Sequence, residues 1–151
     1  MQNLDLIENE IKTVIDTCDK LIHQEKFDEL VNFYTEDAVL VIKPGMLANG
    51  REQIKSAFIK IASYFDNSIK PLEGKMVYLL AGDTVLVLAQ TFIEANQSAT
   101  AQSEFSMERR ATYVFRNIDG KWLCAIDNSY GTTLIAVSYT HLRAHETSLH
   151  L

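Results

Sequence analysis

The sequence of 151 residues has only two cysteines, two prolines and one tryptophan, and its 14 basic residues are outnumbered by 20 acidic ones. Each shortage removes a class of protein. Cys18 and Cys124 lie far apart without motif spacing, so they read as small core hydrophobes rather than a disulfide or a reactive pair. Two prolines and six glycines beside 47% hydrophobic residues indicate a globular chain rather than a disordered one. A net charge of −6 argues against nucleic acid and anionic membrane as partners, because both need clustered Lys and Arg. No run approaches the roughly 18 apolar residues of a membrane span. The opening MQNLDLIENEIK has no basic start before an apolar stretch, so no secretory signal is expected and the cytoplasm is the default compartment. The length suits one domain able to bury a core without metal or disulfide staples.

What is present changes character once along the chain. Ile7, Ile11, Val14, Ile15, Cys18, Leu21 and Ile22 recur at steps of three and four, which predicts a helix from about Leu4 to His23. KFDELVNFY reads as a short second helix, and VLVI (39–42) as a strand ended by Pro44-Gly45. NGREQIKSAFIKIASYF reads as a third helix, with Asn49 or Gly50 at its N-cap. After Pro71 come KMVYLLA and TVLVLAQTFIEA, joined by a tight turn at Gly82-Asp83. A polar loop, NQSATAQS, leads to EFSMERRATYVFR, and NIDG turns into KWLCAIDNSY. Strands linked in series by hairpins make an antiparallel sheet, and helices gathered before them make an α+β fold.

FDELVNFYTEDAVLVIKPGMLANGREQIKSAF, with YTEDAVL, Gly50 and the closing DGKWLCAIDNSYG, resembles the SnoaL-like, ketosteroid-isomerase-like branch of the nuclear transport factor two superfamily. The resemblance runs from about Ile11 to Gly131. It implies three N-terminal helices packed on a strongly curved, mainly antiparallel sheet, forming a cone-shaped α+β barrel around a ligand pocket, and it makes a homodimer the expected state. Members include isomerases, cyclases, dehydratases and epoxide hydrolases, and fold alone does not choose among them. Carried over by alignment, the isomerase base falls on Ile42, its tyrosine donor on Cys18 and its protonated carboxylic acid on Thr112. None is the required residue type, so steroid isomerisation is not expected.

The final stretch, VSYTHLRAHETSLHL, holds His141, His145 and Glu146 at a spacing that suggests zinc or non-haem iron. Val137 to Thr147, however, resembles the translation of a transposon adapter used in DNA sequencing. A single domain over residues 1–136 followed by a non-native tail is therefore expected, and the tail histidines are set aside. The remaining His23 lies at a helix end, where it reads as a solvated group. No metal and no cofactor are expected, since no ligand cluster, Gly-rich phosphate loop or Gly-x-Ser-x-Gly elbow occurs.

Alternation along the strands supplies the candidate site. Alignment with the isomerase pattern turns Leu86, Leu88, Gln90, Phe92 and Glu94 toward the pocket, with Glu108, Arg110, Thr112 and Val114, and with Leu123, Ala125, Asp127 and Ser129. On that parity Asp127, Glu94 and Arg110 are the catalytic candidates, a partial echo of the Asp–Arg–Asp arrangement of epoxide hydrolases. Gln90, Phe92, Thr112, Tyr34, Tyr64 and Ile42 are the expected contacts of a small-molecule ligand. Val85, Val87, Met107, Tyr113 and Trp122 then fall on the outer face as an apolar patch for a symmetric dimer. Three functions stay open: a ligand-binding domain, an isomerase or hydrolase using pocket carboxylates, and an association module without ligand.

Overall fold

Helix α1 (Leu4–Gln24) begins where the Asn3 side chain accepts hydrogen bonds from the Asp5 and Leu6 amides, and it stops at Glu25, which turns left-handed. Its apolar stripe is buried as its periodicity predicts, with Ile7, Ile11 and Ile15 in the core. Helix α2 is one turn (Phe27–Leu30), followed by a 3-10 turn at Val31–Phe33 and strand β1 (Tyr34–Lys43). A hairpin at Pro44-Gly45 leads to the short β2 (Met46–Asn49), then α3 (Gly50–Tyr64), β3 (Lys70–Ala81), β4 (Thr84–Glu94), β5 (Glu108–Ile118) and β6 (Lys121–Asn128). This computed structural model describes residues 3–94 and 108–135. The NQSATAQS loop, Met107 and the tail from Val137 lie outside the described residues.

Among the described residues six strands form one sheet, in the order β2-β1-β6-β5-β4-β3. All neighbours are antiparallel except β1 and β6. This is the mainly antiparallel α+β architecture expected, with β2 added as an edge strand. The other edge, β3, carries Pro71, a residue that sheets confine largely to edge strands. Register shifts between Glu73 and Met76 and between Phe115 and Val114 mark bulges in β3 and β6. Bulges bend strands and re-aim side chains, and the sheet curves around a core that α1 and α3 close.

Two local devices hold β1 where the site needs it. Gly50 takes a left-handed backbone (φ 83°) at the start of α3, and Gln53 accepts the Asn49 amide. The next residue, Arg51, then reaches back with Nε and Nη2 to the Tyr34 carbonyl at 2.9 and 2.7 Å. A charge-assisted, two-pronged bond of this kind fixes position as well as energy. Tyr34 is therefore the anchored first residue of a strand, not the end of a helix.

Candidate functional site

The central carboxylate is placed by a bulge. In β6, Cys124 pairs with Phe115 while Ile126 pairs with Val114, so Ala125 is the extra residue. Trp122 and Cys124 point into the core before the bulge. Strict alternation would then send Asp127 outward; the extra residue turns it in. There Asp127 lines the cavity and accepts a 2.6 Å hydrogen bond from the Tyr34 hydroxyl. Burial pushes its carboxyl up to about 6, against the pull of the Tyr34 bond and with a further push from Glu73. Tyr34 is fully packed, and burial first and the Asp127 charge second raise its phenol, so it stays protonated as the donor.

A second polar group lies on the α1 and β3 side of the same cavity. The Asp19 and Glu73 carboxyls are in hydrogen-bond contact. Glu73 also accepts from Thr91 Oγ1 at 3.2 Å, and Thr91 Oγ1 is 3.1 Å from the Tyr113 hydroxyl. Two facing carboxyls cannot both ionise cheaply. Desolvation, with the Glu73 contact, pushes Asp19 up to about 9, and burial also raises Glu73. Asp19 therefore stays protonated at neutral pH.

These groups open onto a cavity of about 1030 Å³, at the upper end of small-molecule sites. Its wall is mainly apolar, with Ile15, Ile22, Leu40, Ile42 and Phe58 among the lining residues. Exposed lining residues such as Met46, Leu47 and Tyr64 mark its mouth, between α3 and the β1–β2 hairpin. At the far end of β6, Asn128 accepts the Tyr130 and Gly131 amides and shapes a turn in which Gly131 is left-handed (φ 54°). That turn sets the Tyr130 ring under the Arg109 guanidinium, 4.6 Å from its centroid, and both line the cavity.

The SnoaL-like domain family matches residues 11–125. The chain belongs to the SnoaL-like family. No curated protein matches it. Among solved structures, this SnoaL-like domain is similar to Aln2 from a Streptomyces species, at 12% identity and a TM-score of 0.72, covering 91% of this chain and 99% of that one. An NTF2-like protein with a cystatin-like fold from Novosphingobium aromaticivorans shares 18% identity with a TM-score of 0.65, over 82% of each chain. A protein from Catenulispora acidiphila, solved in complex with S-DNPA, shares 15% identity with a TM-score of 0.67, over 87% of this chain and 98% of that one. At these identities the structural likeness establishes the fold.

Of the residues picked from sequence, the structure brings Asp127, Tyr34, Ile42 and Tyr64 to the cavity, Tyr64 at its rim. The expected parity of β4 and β5 is reversed. Val85, Val87, Ala89 and Thr91 point inward on β4, with Arg109, Ala111, Tyr113 and Phe115 on β5. Gln90, Phe92, Glu94, Arg110 and Thr112 are therefore on the outer face. Arg110 is 87% exposed and pairs with Glu108 at 3.3 Å, and Gln90 Nε2 donates to the same Glu108 carboxylate at 2.9 Å. Glu94 is exposed at the strand end beside Lys70, and Thr112 Oγ1 accepts from Asn128 Nδ2. No Glu94–Arg110–Asp127 cluster forms.

The proposed outer patch changes with the parity, since Val85, Val87 and Trp122 are core residues and Tyr113 packs against them. Sequence reasoning also passed over Asp19, although it sits four residues after Ile15 and three before Ile22, on the buried stripe of α1. A carboxylate in that register was the available signal. Glu73, Thr91 and Tyr113 carried none, because their faces depended on the parity. Among the described residues no group of His, Cys, Asp and Glu is arranged to hold a metal ion, and no helix is long and apolar enough to cross a membrane.

Proposed function

We propose that this SnoaL-like domain binds a small, largely apolar molecule in its cavity and moves a proton on it, with Asp127 as the base. The observation that carries this reading is the Tyr34–Asp127 hydrogen bond at the wall of an open apolar cavity. A general base works best with a pKa near the working pH. Burial supplies that basicity, and the Tyr34 hydroxyl holds the carboxylate in one orientation. The chemistry available is removal of a proton from carbon beside a carbonyl group. Asp127 takes the proton, the C–H electron pair becomes a C=C bond, and the carbonyl π pair moves onto oxygen. Where the carbonyl compound carries a β,γ double bond, the resulting dienolate takes the proton back from Asp127 at its γ carbon while the oxygen pair re-forms the carbonyl, which completes an isomerisation without cofactor. The S-DNPA complex of the Catenulispora protein lends support to ligand binding within this fold.

The test of the binding step is amide NMR with a neutral aromatic ketone, 2-acetylnaphthalene. Shift changes are expected at Ile15, Tyr34, Tyr113 and Asp127 and not on the outer face. Changes confined to the outer strands, or none at millimolar ketone, would overturn it.

A homodimer is proposed alongside. Leu79, Leu86, Val114 and Ile126 are consecutive cross-strand partners, and Val77 faces Leu88, so an apolar row crosses the outer side of four strands. Val77, Leu79, Leu88 and Ile126 are exposed. A second copy of the sheet is the partner that fits a self-complementary apolar row.

A further inference from the structure

Arg109 faces the cavity from β5 and has no part in the proton transfer assigned to Asp127. The other described arginines each have an acceptor. Arg51 holds the Tyr34 carbonyl, Arg110 pairs with Glu108, and Arg116 meets Asp37 and Thr35. Arg109 is half-buried, and among the described residues its guanidinium has the Tyr130 ring beneath it and no acceptor. A guanidinium is a planar fork of N–H donors. Stacking on a ring covers one face of that plane and leaves the edge donors free to take a carboxylate through two parallel bonds.

The turn after β6 holds this stack in place. Asn128 accepts the Tyr130 and Gly131 amides, and a Cβ at Gly131 would lie 2.1 Å from the Arg110 carbonyl oxygen. The turn that carries Tyr130 is thus packed against the residue next to Arg109. Ring and guanidinium keep their positions before a ligand arrives, which lowers the cost of binding.

The sheet also separates Arg109 from the acids of the cavity. Glu73, Thr91 and Arg109 are consecutive cross-strand partners on β3, β4 and β5, and the Thr91 hydroxyl between them bonds the Glu73 carboxylate. Asp127 pairs with Tyr113, four residues beyond Arg109 on β5, or about 13 Å of strand. The Asp127 carboxyl is shifted by burial, by the Tyr34 bond and by Glu73, and not by Arg109. The cavity therefore has a cationic pole and a basic pole, with the apolar Ala111 between them on β5.

We propose that Arg109 anchors a carboxylate, so that the ligand of this cavity is an apolar acid with its anionic end at Arg109 and a carbonyl end that reaches Asp127. The inference rests on the cavity being a ligand site and adds the class of ligand. The carboxylate supplies the counter-charge that the guanidinium lacks. Turned the other way, it would meet Asp127 and Glu73, so the same arrangement fixes the direction in which the acid lies. The length of strand between the poles calls for an extended apolar body between the two ends.

The experiment compares 6-acetyl-2-naphthoate with 2-acetylnaphthalene, which share the ketone and the ring body, by equilibrium dialysis at pH 7. The wild-type chain should hold the keto acid about tenfold tighter or more, the gain expected of a charge-assisted pair. Arg109→Met should bring that ratio close to one, whatever it does to the ketone itself, and Arg110→Met on the outer face should leave the ratio unchanged. Side-chain NMR of the wild-type chain gives a second reading. The Arg109 Nε–H signal should shift with the keto acid and stay unmoved with the ketone. Equal wild-type affinity for the two probes, an Arg109 signal unmoved by the keto acid, or a preference that survives Arg109→Met would overturn the proposal while leaving the cavity reading intact. The last of these would place the anion at another cation of the wall, Lys43 or Lys60. Binding of neither probe would overturn both readings. The wild-type measurements decide the matter even if Arg109→Met does not fold.

Discussion

The Tyr34 hydroxyl donates a 2.6 Å hydrogen bond to Asp127, joining the first residue of β1 to a residue that reaches the cavity only because β6 is bulged at Ala125. The contact depends on two separate parts of the chain. Arg51 on α3 fixes the Tyr34 carbonyl, and the extra residue in β6 turns the carboxylate inward.

Removing the hydroxyl tests that relationship. In Tyr34→Phe the carboxyl loses the bond that lowers its pKa, so Asp127 should titrate above its present value of about 6. A buried hydrogen bond to a charged group contributes roughly 1.5–3 kcal/mol, and a loss of stability in that range is expected at pH 8. Carboxyl carbon NMR across pH 4–9 reads the first effect and urea unfolding the second. A downward shift of the Asp127 titration would contradict the assignment.

The two adjacent arginines should behave oppositely to what strand parity read from the sequence implies. Arg110→Ala removes an exposed side chain and a surface ion pair, with an effect of about 0–1 kcal/mol. Arg109→Ala removes the guanidinium stacked on Tyr130 at the cavity. It should cost roughly 0.5–2 kcal/mol and change ketone affinity, which Arg110→Ala should leave alone. Paired denaturation and dialysis measurements check both.

That reversal shows where the sequence stopped being informative. Helix α1 was legible because one face is apolar and the other charged, and the β3–β4 turn because Gly82-Asp83 interrupts two apolar runs. In β4, however, Val85, Leu86, Val87 and Leu88 are apolar on both faces, so alternation marks a strand without telling inside from outside. Both faces are apolar because the outer row continues across four strands. In β6 the parity reading placed Asp127 correctly and Leu123 incorrectly, because the bulge lies between them and no residue type announces it. Tyr34 lay outside the expected strand VLVI, since YTED resembles a charged turn. Its Thr35 and Asp37 instead meet Arg116 of β5.

The outer row predicts association. Light scattering at micromolar concentration should give twice the monomer mass, and the double substitution Val77→Asp and Leu88→Asp should give monomer with the same circular dichroism. A monomeric wild-type chain would remove the dimer from the account.

Buried carboxyls also set a pH dependence of stability. Asp19 and Asp127 both have folded-state pKa values raised above the ordinary 3.8, to about 9 and about 6. The folded chain therefore holds these protons when the unfolded chain has released them. The stability they contribute is complete below about pH 4 and is lost as pH rises, by about 6 for Asp127 and by about 9 for Asp19. Melting temperature should fall from pH 6 to pH 9, by more than about 3 °C. Asp19→Asn, neutral at every pH, should flatten that interval. A wild-type melting temperature that rises from pH 6 to 9 would contradict the burial assigned to the pair.

The most direct test of proton transfer is hydrogen–deuterium exchange at the carbon beside the carbonyl of 2-acetylnaphthalene, followed by mass spectrometry in deuterated buffer. The wild-type chain should accelerate exchange over buffer, with a rate that rises with pH through an inflection near 6, where Asp127 ionises. Asp127→Asn should lower the rate at least a hundredfold, within the range by which general bases act, while leaving ketone binding within a few-fold. Exchange that proceeds at the buffer rate with ketone bound in the cavity, or equally fast in Asp127→Asn, would show that the cavity binds without this chemistry.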